Sequence, residues 1–263
     1  MGPALHTRAQ ETKVIRIQPT YRYMQLGAGA SLFTLRDEAM SPLRYRGLNF
    51  SAVGAYQKEK GCTFQRFEFV FHYGELLPDI YDFSLNGIAE HLRGELDYAY
   101  LRRVRPGAAG PYRWWLGGAL SALGTYRLHL LYSNNAYNWE VLTHLNVAGR
   151  VARDLRLWGR TFKLNYEAAV PLVGVGWRPF YTSIWAEELL NPEERTLGNG
   201  VRSGRFFTLN RFFRYRSRLA LDYPFANGNA LRLTYAWDYY RYAAEQPTSV
   251  GSQQLLLSTL FRF

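Results

Sequence analysis

The side chains of this sequence that could do chemistry are five histidines and a large set of serines, carboxylates and arginines. His144 lies two residues from Asn146, a base with an amide able to orient it. A nucleophilic hydroxyl beside them would complete a hydrolase. No serine adjoins His144 in the sequence, so Ser121 or Ser258 would have to approach from elsewhere. His72 could activate a water if Glu140 or Asp238 met it. The plainer reading of both histidines is hydrogen bonding in a polar interior. The histidines lack metal-ligand spacing and Cys62 is the single cysteine. Neither a zinc site, a disulfide framework nor a cofactor is expected.

The larger constellation is ionic. The formal net charge is +11, and apart from Lys13, Lys58, Lys60 and Lys163 every Lys+Arg cation is arginine. A nucleic-acid binder gathers its cations into one patch or tail. Here they are spread along the chain and often recur at every second position, so no nucleic-acid partner is expected. Arg214, Arg216 and Arg218 form the densest ladder. By alternation Arg66, Arg93, Arg103, Arg113, Arg127, Arg150, Lys163 and Arg232 share its side of the chain. Glu68, Glu95, Asp97, Glu140, Glu167, Asp222 and Asp238 share it too. A ring of arginines would attract anions through a pore. Forked arginine–carboxylate pairs would instead fill and close the same space, and buried unpaired charge is costly enough to favour the pairs.

The elements that must position these groups are strands, because the dominant period is two. From Phe207 to Tyr223 the odd positions are mostly apolar and the even ones carry the arginine ladder. Leu231, Leu233, Tyr235, Trp237 and Tyr239 alternate with Arg232, Thr234, Ala236, Asp238 and Tyr240. Leu255, Leu257, Thr259, Phe261 and Phe263 alternate with Gln254, Ser258 and Arg262. Earlier runs centre on Phe67–Tyr73, Leu92–Tyr100, Tyr112–Arg127, Trp139–Val151 and Phe162–Val170. Two weaker runs, Tyr23–Leu35 and Leu43–Gln57, give no face assignment. The total is about ten strands, most of them as long as a membrane-crossing strand.

Seven Trp, 20 Tyr and 16 Phe rule out a disordered or collagen-like chain. Apolar runs of about six residues rule out a membrane helix, which needs about 20. A soluble sandwich or lipocalin-like binder would show the same alternation. Strand length, aromatics near the ends of apolar faces and tightly mixed charges on the other face favour a membrane barrel. If Phe263 ends in the periplasm, so do the turns Lys58–Gly61, Arg105–Pro111, Asp154–Trp158 and 224–229. The longer connections Arg36–Pro42, Gly74–Gly87, Tyr132–Asn138, Arg178–Arg205 and Ala243–Val250 then face outward, as in outer-membrane barrels. The expected fold is all-β, a transmembrane antiparallel up-and-down barrel over 21–263. Residues 1–20 form a periplasmic segment, and both termini are periplasmic. Met1–Pro19 has no apolar signal-peptide core, although this location requires export.

Ser41-Pro-Leu-Arg-Tyr-Arg-Gly47, Tyr166-Glu-Ala-Ala-Val-Pro-Leu-Val-Gly-Val175, Pro179-Phe-Tyr181 and Leu231-Arg-Leu-Thr-Tyr-Ala-Trp-Asp238 carry a family likeness. Together they resemble an uncharacterised outer-membrane barrel family of Bacteroidota, known as a domain of unknown function. The resemblance spans nearly the whole chain. It implies one outer-membrane barrel and carries over neither an activity nor functional residues.

The expected function is therefore non-enzymatic, an accessory or structural subunit of an outer-membrane complex for protein export or insertion. Its partners would be outer-membrane lipids and other outer-membrane or periplasmic proteins. The alternatives are a narrow anion-selective channel carried by Arg214, Arg216 and Arg218, and a hydrolase using His144 or His72. In the stretch Arg178–Arg205, Trp185, Leu189 and Leu190 fall at the spacing of a short amphipathic helix. That stretch could dock a partner or simply pack upon itself.

Overall fold

The structure, a computed structural model, describes residues 20–39, 41–79, 87–104, 110–129, 136–178, 196–243 and 246–263. Residues 1–19, and Trp185, Leu189 and Leu190 of the expected docking segment, lie outside them. The long strands are β1 (Thr20–Asp37), β2 (Ser41–Lys60), β3 (Thr63–Pro78), β4 (Ala89–Val104), β5 (Tyr112–His129), β6 (Tyr137–Leu157) and β7 (Arg160–Trp177). A short helix α1 (Leu197–Arg202) and strand β8 (Arg205–Thr208) precede β9 (Phe212–Pro224), β10 (Ala230–Tyr242) and β11 (Thr248–Arg262). Each long strand pairs antiparallel with its sequence neighbour, β7 pairs with β9, and β1 pairs with β11. The wall therefore closes as a barrel of ten strands. Closure gives each of the ten long strands a partner on both sides, as a β-structure surrounded by lipid requires.

The strands are longer than the alternation indicated. β6 runs through Asp154 to Leu157, so the expected turn Asp154–Trp158 shrinks to Trp158 and Gly159, at φ of 51° and 74°. Two successive positive φ values are what a two-residue hairpin needs to match strand twist. Gly61 and Gly228 serve the other tight turns at this end with φ of 57° and 86°. Tyr23 pairs with Arg262, so both ends of the described wall lie at this hairpin end.

The run Phe207–Tyr223 is not one strand. Arg211 N–H donates to Thr208 O at 3.0 Å, and Thr208 Oγ1 donates to Asn210 Oδ1 at 2.6 Å. The resulting turn changes the phase. Phe207 is buried, against its expected outward face, and so is Phe212, while Leu209 is exposed in the turn. β7 pairs with β8 at Val173–Gly176 and with β9 at Lys163–Ala169. It also bulges, because Leu145 faces Val173 whereas Asn146 faces Pro171. Proline has no N–H for the ladder, so Pro171 is a natural place for the register to slip.

β1 and β2 keep a regular phase, with odd positions inward along both. Their faces were illegible because the inner one combines Gly27, Gly29, Phe33, Leu35 and Val53 with polar residues. The outer wall is apolar all round, exposing among others Leu26, Phe50, Phe69, Leu96, Leu120, Leu145, Leu233 and Leu257. Leu145 is 53% exposed although it sits in the middle of a strand. In water such a surface would aggregate, whereas in lipid it is the solvated face.

Candidate functional site in the ion-paired lumen

The inward positions stack in layers. At mid-height, β4 supplies Arg93, Glu95 and Asp97, β9 supplies Arg214 and Arg216, and β10 supplies Asp238. Arg214 Nη2 donates to both Glu95 oxygens at 2.6 and 2.8 Å, and its Nε to Asp238 Oδ1 at 2.8 Å. Arg216 pairs with Asp97 and Glu95, and Arg93 with Glu95 and Asp238. The Arg93 guanidinium also lies 5.6 Å from the ring centroids of Phe33 and Tyr240. The next layer toward the hairpins holds Arg218 on Glu68, Arg66 on Glu167, and Arg150 with its Nε 3.6 Å from Glu167. Below it Arg232 clamps Asp222, Nε and Nη2 donating at 2.5 and 2.8 Å, and reaches Gln25 at 3.1 Å.

Toward the other end the lumen is closed by apolar side chains that the polar inner face did not lead us to expect. Phe33, Leu35, Tyr45, Leu76, Leu123, Leu142, Phe207, Phe212, Tyr240 and Tyr242 form one buried cluster. Gly174 and Gly176 make room for the Phe207 ring, because a methyl on either would meet it. Arg127 crosses this region, with Nη1 2.5 Å from Asp37 and Nη2 2.7 Å from Glu140. Arg178 also pairs with Asp37, and the Tyr240 hydroxyl donates to Glu140. Forked, desolvated pairs of this kind fix side chains in one arrangement and leave little space around them.

The expected lumen network thus comes together as ion pairs: Arg66, Glu68, Arg93, Glu95, Asp97, Glu140, Arg150, Glu167, Arg214, Arg216, Arg218, Arg232 and Asp238. Arg103 and Arg113 are half-buried and Lys163 is exposed; these three mark the hairpin-end rim rather than the packed interior. All three members of the Arg214, Arg216 and Arg218 ladder carry carboxylate partners.

His144 and His72 sit in the interior beside partners other than those the hydrolase reading requires. Ser121 is the direct cross-strand partner of His144, so a serine does lie beside it. That serine donates to Asp97 and accepts from Asn146 Nδ2 at 2.9 Å, and His144 turns instead to Arg214, Nε2 3.4 Å from Nη1. Adjacent placement therefore does not make a nucleophile–base pair here. His72 meets neither Glu140 nor Asp238 in a hydrogen bond. Its Nδ1 lies 2.8 Å from Ser51 Oγ and 3.3 Å from Ser31 Oγ, and the two serines bond each other. Phe33 packs edge-on against His72 from within the apolar cluster. Ser51–His72 has nucleophile–base geometry, but both residues are fully buried. Among the described residues no cluster of three or more His, Cys, Asp or Glu could hold a metal.

Among solved structures, the outer-membrane protease OmpT from Escherichia coli aligns over 96% of this chain and 99% of its own, with a TM-score of 0.51 and 11% identity. That likeness is one of barrel fold. The translocator domain of the autotransporter NalP from Neisseria meningitidis covers 92% of this chain and 89% of its own at a TM-score of 0.36 and 8% identity. An outer-membrane channel from Pseudomonas putida F1 covers 97% and 100% at 0.33 and 9%. No curated protein matches the chain in sequence. A family profile described as a protein of unknown function, DUF3316, matches residues 6–249. The expectation of a barrel family without an assigned function agrees with that match, and the chain belongs to the DUF3316 family.

Proposed function

We propose that this protein is a structural barrel of the outer membrane that works through its surfaces, as an accessory subunit of an outer-membrane protein complex serving export or insertion. The observation that carries the reading is the filled lumen. Arginine–carboxylate pairs occupy its middle, and an apolar cluster crosses it toward the long-loop end. A pore needs an unobstructed polar path with binding weak enough for release. A hydrolase needs its base and nucleophile where substrate can reach them, and Ser51 and His72 are sealed. Among the described residues, what remains available to other molecules is the outer wall and the two rims. The apolar wall and tight hairpins support membrane insertion with the hairpin end in the periplasm.

The test joins two measurements on the protein purified from native outer membranes. Affinity purification in mild detergent should recover a stoichiometric set of membrane or periplasmic proteins. The isolated barrel in a planar bilayer should show no steady conductance. A solitary barrel that conducts anions, with selectivity lost on neutralising Arg214, Arg216 and Arg218, would replace the subunit reading with the channel one.

A further inference from the structure

At the hairpin end the lumen opens into a pocket of about 150 Å³. A water takes about 30 Å³ of liquid volume, so the space suits a phosphate or a carboxylate group. Four cations line it, Arg113, Arg150, Lys163 and Arg232, against two carboxylates, Glu59 and Asp222. Asp222 is already committed to Arg232 and to Asn165 Nδ2 at 3.1 Å.

Arg150 is the unusual member. It is 93% buried, being 7% exposed, yet only its Nη2 makes a hydrogen bond among the described residues, to Asn165 Oδ1 at 2.7 Å. Its Nε and Nη1 have no hydrogen-bond partner. Two acids approach Arg150 at ion-pair distance only, Glu167 3.6 Å from Nε and Glu59 at the mouth 4.0 Å from Nη1, the latter 32% exposed. Trp115 lines the same pocket, is 3% exposed, and its Nε1 donor is likewise unpartnered. The ring centroids of Phe64 and Trp115 lie 3.9 and 5.0 Å from the Arg150 guanidinium carbon and hold it in place. Arg93 also has unpartnered nitrogens, but its guanidinium carbon lies 5.6 Å from the ring centroids of both Phe33 and Tyr240 and it does not line this pocket. The surrounding rim is basic, with Lys58, Lys60, Arg160 and Arg262 against Glu59 and Asp154. Such a mouth concentrates anions.

We infer that Arg150 and the Trp115 indole N–H form an oxyanion-binding site in this vestibule, with Lys163 attracting the ligand at the rim and Glu59 competing for the same guanidinium. The ligand class is a small phosphate or carboxylate, free or at the end of a larger molecule. Binding exchanges the long Arg150–Glu59 approach for charge-assisted hydrogen bonds.

The test reads the Trp115 indole N–H resonance of the ¹⁵N-labelled barrel in detergent micelles, assigned by its loss in Trp115→Phe. Inorganic phosphate and acetate are the probes. Either should move that resonance saturably and downfield, and which one binds more tightly names the ligand group. Arg150→Gln should raise the midpoint concentration about tenfold or more. Lys163→Ala should raise it less, and Glu59→Gln should lower it. A resonance that neither probe moves would overturn the site, as would a midpoint unchanged in Arg150→Gln. Should Arg150→Gln fail to fold, unchanged midpoints in both Lys163→Ala and Glu59→Gln would overturn it equally. None of these readouts depends on whether the barrel has a protein partner.

Discussion

Arg214 of β9 reaches Glu95 of β4, four strands away around the wall, with Nη2 2.6 and 2.8 Å from the two carboxylate oxygens. This contact and its neighbours tie the two sides of the barrel together, so the lumen is part of what holds the wall in shape.

Arg214→Gln should therefore be among the most damaging single changes. Glu95 and Asp238 would each lose a buried partner, and breaking such a pair costs about 3–5 kcal/mol. Arg214→Lys should fall between the wild type and Arg214→Gln, since it keeps the charge and loses the fork. Unfolding midpoints in urea, measured on the detergent-folded protein, give both values. Equal midpoints for Arg214→Gln and wild type would remove the network from the stability of the fold.

Leu96 lies on the outer wall between the two inward acids Glu95 and Asp97, and it is exposed. In lipid, Leu96→Arg should cost about 2–4 kcal/mol near the bilayer midplane. Folding into vesicles and into detergent, compared side by side, checks this. A neutral effect in vesicles would place this belt outside the hydrocarbon.

Gly29 sits on the closing seam, opposite Leu256 on β11. A methyl at Gly29 would overlap the carbonyl oxygen of Leu255. Gly29→Val should block pairing of β1 with β11 and abolish the compact, heat-modifiable band on a cold detergent gel. Gly110, with open space where a methyl would go, should tolerate Ala in the same assay.

Ser51 has its oxygen 2.8 Å from His72 Nδ1 but lies sealed within the barrel. An activated fluorophosphonate probe should leave it unlabelled in the folded protein. Labelling at Ser51 that disappears in His72→Ala would revive the hydrolase reading.

Alternation alone specified much of this molecule. Glu68, Asp97, Arg214 and Asp238 could be assigned inward because each sits between apolar neighbours on a strand, where side chains must alternate, and Arg66, Arg93 and Glu95 follow at every second position from them. The ten-strand wall and the side on which the tight turns gather followed from the same period. The signal failed where both faces shared one character, as in β1 with Phe33 and Leu35 inside. It also failed at Leu209–Arg211, where three turn residues reset the phase, so that Phe207 points into the lumen.

What the sequence determined by itself is the wall, because strand period and turn chemistry are local properties read from adjacent residues. Only the tertiary structure decided what fills the barrel. Which carboxylate takes which arginine depends on residues more than a hundred positions apart, such as Arg218 and Glu68, brought together by closure and stagger. The same closure set Ser121 beside His144 yet gave its hydroxyl to Asp97. It also left Nε and Nη1 of Arg150, a residue that lines the vestibule, without hydrogen-bond partners, which no spacing in the sequence could reveal.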